Sequence, residues 1–205
     1  CSYCAKHEGE CIQKNDDFEE LRKKWYNADV IFYSVPVYHM SMPGQLKCFI
    51  DRLGNSMFGL FQSQYQDLHG ALPKLYKVIG SIAQGIHIFS GQEHTITDLI
   101  NHALIMQCIP VSGDLWQAYI GVGGWTSNLP ERNGLKKVAQ EGDLSARSSV
   151  KAARMIGRRA VQLSMIILSG VIACKDILQG DEVYLPILSL AENQGYLREG
   201  HRAYS

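Results

Sequence analysis

The spacing of apolar positions changes along the chain, and each change predicts a new element. Phe18, Leu21 and Trp25 recur every three to four positions, which is typical of one face of a helix. A continuous apolar run then predicts a buried strand over 30–34. After a loop rich in Pro, Gly and Ser, helical spacing returns over 45–53. The first half of the sequence therefore predicts a helix, a strand, a loop and a second helix.

The same alternation continues further along. Apolar runs predict strands over 76–82 and 108–111, and helical periodicity predicts helices over 94–106 and 147–168. Residues 54–73 have a mixed pattern, which we interpret as a loop with short helical turns. Alternating strands and helices predict an α/β fold with a parallel sheet. Such sheets bind ligands outside the carboxyl ends of their strands.

Composition narrows the classes of partner. The chain has 205 residues, enough for one domain with or without an appendage, and its 20 basic and 20 acidic residues cancel. A net charge of zero gives no electrostatic reason to expect nucleic acid or an anionic membrane as a partner. The most apolar stretch, 160–174, is interrupted by polar residues, so we expect a buried or interfacial helix and no membrane span. Cysteine is too sparse for a disulfide scaffold, which favours a reducing, cytoplasmic setting.

The loop after the first predicted strand carries the most informative residues. Pro36 and Pro43 restrict the backbone, and Gly44 permits a sharp turn or a close approach to a ligand. From residue 34 to residue 44 the sequence offers one flat aromatic side chain, two thioethers and several hydroxyl groups. This set of side chains suits a planar cofactor with a polar edge.

Residues 34–52, SVPVYHMSMPGQLKCFIDR, resemble the signature SPVY-x-x-S-x-x-GQLK-x-FIDR of the NADPH-dependent FMN reductase family, including its iron–sulfur flavoprotein branch. Two later stretches, 79–85 and 90–95, are similar to the second flavin loop of that family. The resemblance extends over roughly residues 1–168 in family order. Further similar segments lie at 121–125 and 152–159.

The resemblance implies a flavodoxin-like open parallel sheet with FMN as cofactor. Residues 1–168 would form the FMN-binding domain, and 169–205 a C-terminal extension that lies at a subunit interface or packs on its own domain. In the family, a strand, a phosphate-binding turn, a helix and a second strand precede the cysteine motif with which this sequence starts. We therefore expect another segment or another chain to complete the domain and to supply the FMN phosphate site.

The resemblance further implies that two loops hold the flavin ring. Tyr38 and His39 would lie against the isoalloxazine, although Tyr38 also suits the edge of a core and His39 a solvated loop. Ser41 and Gln45 could donate to flavin oxygens or cap the following helix. No side chain is given a catalytic role, since FMN carries the chemistry. The complete predicted cofactor contacts are Ser34, Pro36, Val37, Tyr38, His39, Met40, Ser41, Gly44, Gln45, Ala83, Gln84, Gly85 and Gln92.

A second group of candidate ligands lies at the start of the sequence. Cys1, Cys4, His7 and Cys11 are spaced C-x-x-C-x-x-H-x-x-x-C. The iron–sulfur branch carries four cysteines here, which implies a [4Fe–4S] cluster with histidine near the third position. Three cysteines and one histidine also match a structural zinc site. A segment without metal is the third alternative, and the sequence does not decide among them.

The function that these resemblances imply is FMN-dependent oxidoreduction. A reduced donor, NAD(P)H or ferredoxin, would pass reducing equivalents to an acceptor, with or without the cluster, in a homo-oligomer. A quinone, nitro or azo reductase without a cluster is the alternative within enzymes. A non-catalytic flavodoxin-like subunit of a larger redox complex is the alternative outside them. Motifs of serine hydrolases, zinc proteases and P-loop kinases do not occur, and we expect His94 and His102 to be surface residues.

Overall fold

Strands and helices alternate along the chain in the computed structural model, which describes residues 2–65, 72–116 and 118–193. The strands are β1 (Val30–Pro36), β2 (Val78–Gly85), β3 (Ile109–Pro110) and β4 (Val122–Trp125). The helices are α1 (Tyr3–Lys6), α2 (Phe18–Asn27), α3 (Gly44–Gln64), α4 (Gln92–Ile105), α5 (Gly134–Gln140), α6 (Leu144–Ala173), α7 (Lys175–Leu178) and α8 (Leu185–Asn193), with a 3-10 turn at Glu182–Tyr184.

β2 is the central strand of an open, fully parallel sheet. β1 pairs along one side of it, from Val30 beside Val78 to Pro36 beside Gln84. On the other side, β3 pairs with the start of β2 and β4 pairs with its end. Within the described ranges, β1 has β2 as its only strand neighbour. The predicted α/β fold with a parallel sheet is confirmed.

Side chains of the sheet point alternately into two cores. On one face, Tyr33 and Ile79 pack with side chains of α2, α3 and α4, including Leu53 and Leu99. On the other face, Val78 and Val122 pack against α6. Helices therefore cover both faces, and the carboxyl ends of β1, β2 and β4 lead into loops at one rim.

Helix α3 continues for eleven residues beyond its predicted end at position 53, so the interpretation of 54–64 as loop is wrong. Ile50, Leu53, Met57 and Phe61 continue one buried stripe at helical spacing through this region. The two glycines at 54 and 59 interrupt the helical propensity but not the stripe. Residues 66–71 of the same predicted loop lie outside the described residues.

β4 and α5 were not predicted. β4 has four residues and two of them are glycine, so it has almost no apolar run to detect. The long helix α6 was predicted, but it extends from Leu144 to Ala173. In the described part of the chain it is the one helix long and apolar enough to cross a bilayer, by length and composition alone. Its buried stripe packs on β2 and β4, as expected of a helix that covers a sheet.

Position 168, the predicted end of the FMN-binding domain, lies inside α6. Beyond α6 the described chain folds back, and Ile187 and Leu188 of α8 pack against Val171. The backbone amide of Lys74 donates to the Val183 carbonyl at 2.7 Å, which fixes this return. Residues 174–193 thus pack on their own domain, and 194–205 lie outside the described residues.

Candidate functional site: the rim between two loops

The loops after β1 and β2 meet at the carboxyl rim of the sheet. The Val37 amide donates to the Gln84 carbonyl at 2.8 Å, directly after the paired residues Pro36 and Gln84. Further out, the backbones come so close that a Cβ on Gly91 would lie 2.4 Å from the Met40 carbonyl oxygen. The first loop, 37–43, and the second loop, 86–91, therefore form one continuous rim.

A tight reversal of the backbone shapes the first loop. The amide of Tyr38 donates to the Ser41 carbonyl at 2.9 Å, and the amide of Ser41 donates back to Tyr38 at 3.1 Å. Between them, His39 and Met40 have left-handed φ angles of 48° and 68°. Two consecutive left-handed residues are typical of a type I′ turn, which favours Asn and Gly. Such strain in other residues is concentrated at functional sites.

The sequence suggested that Gly44 could make a sharp turn in this loop, but Gly44 does not take part in the observed turn. It is the first residue of α3, and an added Cβ would meet nothing within 4 Å. Within the described residues, the amides of His39 and Met40 donate no hydrogen bond. The turn therefore supplies two unpaired backbone donors at the rim.

Gln92 holds the second loop in place. Its side chain is 7% exposed, and its Oε1 accepts a hydrogen bond from the Ser90 amide at 3.1 Å. Its Nε2 donates to the carbonyl of His87 at 2.7 Å and to that of Gly124 at 3.2 Å. Both amide hydrogens are thus used within the protein, and they tie the second loop to β4.

Asp98 ties the first loop to α4, a role that the sequence did not reveal. The Ser41 hydroxyl donates to Asp98 Oδ2 at 2.9 Å, and His94 Nε2 lies 3.6 Å from the same oxygen. The Ser41 hydroxyl therefore does not cap α3, whose N-cap residue is Pro43. Ser41 and Asp98 are 57 positions apart, so no local pattern could have paired them.

A cavity of about 450 Å³ opens at this rim. Met40, Phe89, Gly91 and Trp125 are among its lining residues, and Trp125 is fixed by an Nε1 hydrogen bond to the Ser145 hydroxyl at 2.6 Å. The volume lies in the range of cofactor pockets. The surrounding rim exposes several large apolar side chains: Tyr38, Met40, Ile86, Ile88 and Phe89.

The thirteen predicted cofactor contacts lie in or beside this rim, with different exposure. Ala83 and Gly85 are buried in β2, so the side chain of Ala83 is not available to a ligand. Val37 and Ser41 are half-buried. The side chains exposed to solvent are those of Ser34, Pro36, Tyr38, His39, Met40, Gln45 and Gln84.

The cysteine segment packs on α3, away from this rim. Gly59 of α3 makes room for it, since a Cβ there would lie 2.5 Å from the Cys4 carbonyl oxygen. Cys4 and Cys11 are buried free thiols, and Arg52 Nη2 donates to Cys11 Sγ at 3.3 Å. The exposed His7 ring stacks on Tyr3.

Cys4, His7 and Cys11 do not form a ligand set in this arrangement. In the described ranges, no three His, Cys, Asp or Glu side chains come close enough to share an ion. Cys1, the fourth predicted ligand, lies outside the described residues.

His102 is not a surface residue, so that prediction is wrong. Its ring is 8% exposed, and its Nε2 lies 3.0 Å from the Tyr33 hydroxyl. That hydroxyl accepts a hydrogen bond from Trp25 Nε1 at 2.8 Å. Burial lowers the pKa of His102 to about 4, because desolvation disfavours the charged ring. His94 is exposed, as predicted.

Helices on both faces of an open parallel sheet, with a cavity at its carboxyl rim, define a doubly wound α/β protein of the flavodoxin-like class. The family described as NADPH-dependent FMN reductase matches residues 2–118, more than half of the sequence. The chain belongs to this family. FMN is the cofactor that the family's description names, and the apolar rim, the unpaired turn amides and the cavity volume fit its ring system.

The chain is similar to iron-sulfur flavoproteins of two archaea. An iron-sulfur flavoprotein of Archaeoglobus fulgidus is 34% identical over 151 residues, which are 74% of this chain and 70% of that protein. Two iron-sulfur flavoproteins of Methanocaldococcus jannaschii are 30% and 35% identical, over 62% and 60% of this chain. The matches span 59% and 57% of those two proteins.

Proposed function

We propose that the chain is part of an FMN-dependent oxidoreductase whose flavin ring lies at the rim between the first and second loops. The contact between those loops carries the proposal, because it places an apolar pocket with free backbone donors at the strand ends of an FMN reductase family member. When bound, FMN would accept a hydride or single electrons and pass them on.

The chain's own residues would bind and orient this ring. Tyr38 exposes 60% of its surface at the rim and offers a face for stacking. The unpaired amides of His39 and Met40 offer donors to the polar edge of the ring. Gln92 and Asp98 would not contact the ring themselves but would hold the two loops at a fixed separation.

The proposal extends to the electron donor, which could be NADPH, NADH or ferredoxin. The family name supports NADPH. The resemblance implies a basic residue near the second loop, where this chain has Ile86 and His87 instead, and His87 Nδ1 lies 2.6 Å from Asn128 Oδ1. An imidazole whose Nδ1 is already hydrogen-bonded offers a weaker contact than Arg or Lys for the extra phosphate that distinguishes NADPH from NADH. We therefore propose a nicotinamide donor with weak discrimination between the two, and ferredoxin as the alternative.

Anaerobic stopped-flow reduction of the FMN-loaded protein tests this directly. NADPH and NADH should both bleach the flavin absorbance, with rate constants within about tenfold of each other, a modest free-energy difference. Bleaching by reduced ferredoxin alone would contradict the nicotinamide proposal. A protein that stays colourless with excess FMN would favour the non-catalytic interaction subunit.

The proposal routes no electron through an iron–sulfur cluster. The names of the relatives support a cluster, whereas the positions of Cys4, His7 and Cys11 do not. Iron and zinc analysis of anaerobically prepared protein separates the three alternatives: about four irons per chain, one zinc, or neither. Homo-oligomerisation and a cytoplasmic location remain predictions, to be tested by light scattering and cell fractionation.

A further inference from the structure

A second and larger cavity, about 750 Å³, lies in the groove between α3 and α4. Ile50, Phe58 and Met106 supply apolar surface, and Asp51 and Asn101 are among its polar lining residues. It begins beside the first loop but extends along both helices away from the rim. The flavin proposal gives it no role.

The hydrogen-bond network beneath this groove fixes the protonation of His102, which lines it. The Tyr33 hydroxyl already accepts from Trp25 Nε1, so its own hydrogen needs an acceptor. His102 Nε2, at 3.0 Å, is the only acceptor that it reaches in the described part of the chain. Nε2 is therefore the unprotonated nitrogen, and Nδ1 carries the hydrogen.

The Nδ1 hydrogen of His102 has no protein partner among the described residues. In the same part of the chain, the side-chain atoms that are both fully enclosed and without a hydrogen bond are Arg52 Nε and Thr95 Oγ1. His102 Nδ1 is not among them, so it is not fully enclosed. Since His102 lines the groove, this nitrogen opens onto it. Burial keeps the ring neutral near pH 7, so the groove contains a fixed and uncharged donor.

The charged groups along the groove are already paired. Lys47 binds Asp51 one turn further along α3, and Asp98 accepts the Ser41 hydroxyl. A charged ligand would have to compete with these pairs, whereas an uncharged one would not. Apolar surface with a few convergent polar groups is the usual chemistry of a small-molecule site.

We propose that the α3–α4 groove is a second binding site, for an uncharged molecule whose carbonyl oxygen accepts the Nδ1 hydrogen of His102. The site does not depend on bound FMN. Its ligand class follows from the apolar lining, the paired charges and the buried donor of His102.

Gly54 allows the groove to be blocked without disturbing His102. It lines the groove, and an added Cβ would meet only Met106 Sδ, at 3.9 Å. Gly54→Leu should therefore fill the cavity and also favour the helix. Gly157→Leu is the matched control, since Gly157 lies inside α6 with nothing within 4 Å of an added Cβ.

The test uses coumarin as probe and 2H-chromene, which lacks the carbonyl oxygen, as its comparison. Titrations of the full chain are followed by the side-chain nitrogen resonances of ¹⁵N-labelled histidine. Coumarin should bind saturably, about fivefold tighter than 2H-chromene, as expected for one hydrogen bond. It should shift the His102 Nδ1 resonance, and Gly54→Leu should abolish the shift while Gly157→Leu preserves it.

Three results would overturn the proposal. One is a lack of saturable binding to the unmodified chain, and another is equal binding to the two leucine variants. The third is a change of oligomeric state on Gly54→Leu, measured by light scattering, because the groove would then be a contact with a second copy. None of them depends on FMN binding, which is read separately from flavin fluorescence.

Discussion

Backbone conformation at three residues determines how the two loops meet. His39 and Met40 adopt left-handed angles that usually need Asn or Gly, and Gly91 has a φ of 98° against the Met40 carbonyl. The sequence analysis placed a possible sharp turn at Gly44, because Pro and Gly are the commonest turn residues. The observed turn lies instead at His39 and Met40. The actual turn depends on contacts with α4 and β2, which lie far away in sequence.

Gly91→Ala tests the close approach of the loops. The new methyl group would collide with the Met40 carbonyl, and the left-handed angle would be strained as well. We expect FMN affinity to fall at least tenfold and unfolding free energy to fall by about 1–3 kcal/mol. Flavin fluorescence quenching and chemical denaturation measure both, with Gly157→Ala as the open-space control. Equal FMN affinity of the two variants would contradict the account.

Asp98→Ala tests the tie between the first loop and α4. The lost hydrogen bond is charge-assisted, but the Asp98 side chain is 30% exposed, which weakens the bond. We therefore expect the free energy of FMN binding to weaken by about 1 kcal/mol, which is about a fivefold rise in the dissociation constant. Ser41→Ala should cost a similar amount, and the double variant no more than either single one. Asp51→Ala is the control, since Asp51 pairs with Lys47 instead. Additive losses would show that the two side chains act independently.

The buried His102 predicts a pH dependence of stability. The unfolded ring binds a proton below its ordinary pKa of 6.5, whereas the folded ring does so only near pH 4. The unfolded state thus holds more protons between these values, and stability falls as pH falls, by about 2 kcal/mol from pH 7 to pH 5. Urea denaturation of wild type and His102→Gln measures this, because glutamine keeps an acceptor for Tyr33. Parallel pH profiles of the two proteins would be the contrary result.

At the scale of elements, periodicity identified the helices and strands that have a continuous buried stripe or apolar run. It missed elements that are short or interrupted by glycine. β1, β2, α2, α4 and α6 were predicted because each has a clear apolar run or stripe. β4 was missed because Gly123 and Gly124 leave it almost without side chains, although it borders the rim cavity. The burial of His102 was missed because Tyr33, its hydrogen-bond partner, lies 69 positions earlier on another element. Trp25, which donates to Tyr33, lies on a third element.

Gly59→Ala tests the packing of the cysteine segment on α3. An added Cβ would lie 2.5 Å from the Cys4 carbonyl oxygen, so the segment must move although alanine favours the helix. We expect a loss of about 1–3 kcal/mol in unfolding free energy and faster proteolysis near Cys4. Gly54→Ala, in open space on the same helix, should instead stabilise by up to about 1 kcal/mol. If both variants changed the unfolding free energy in the same direction, this packing would be refuted.

At the scale of the molecule, the sheet brings together loops that are about 50 positions apart in sequence. The parallel pairing of β1, β2 and β4 places the carboxyl ends of these strands at one rim, and the cavity follows from that topology. The sequence could predict this rim because the fold class dictates it. It could not predict the α3–α4 groove, which depends on how two helices pack side by side.

Hydrogen–deuterium exchange with and without FMN tests the central claim most directly, that the two loops together hold the flavin ring. The account predicts stoichiometric FMN binding with slower exchange in both loops, residues 37–43 and 86–91, and little change in the groove-lining part of α3. Protection confined to one loop, protection of the groove alone, or unchanged exchange in both loops despite bound FMN would contradict it.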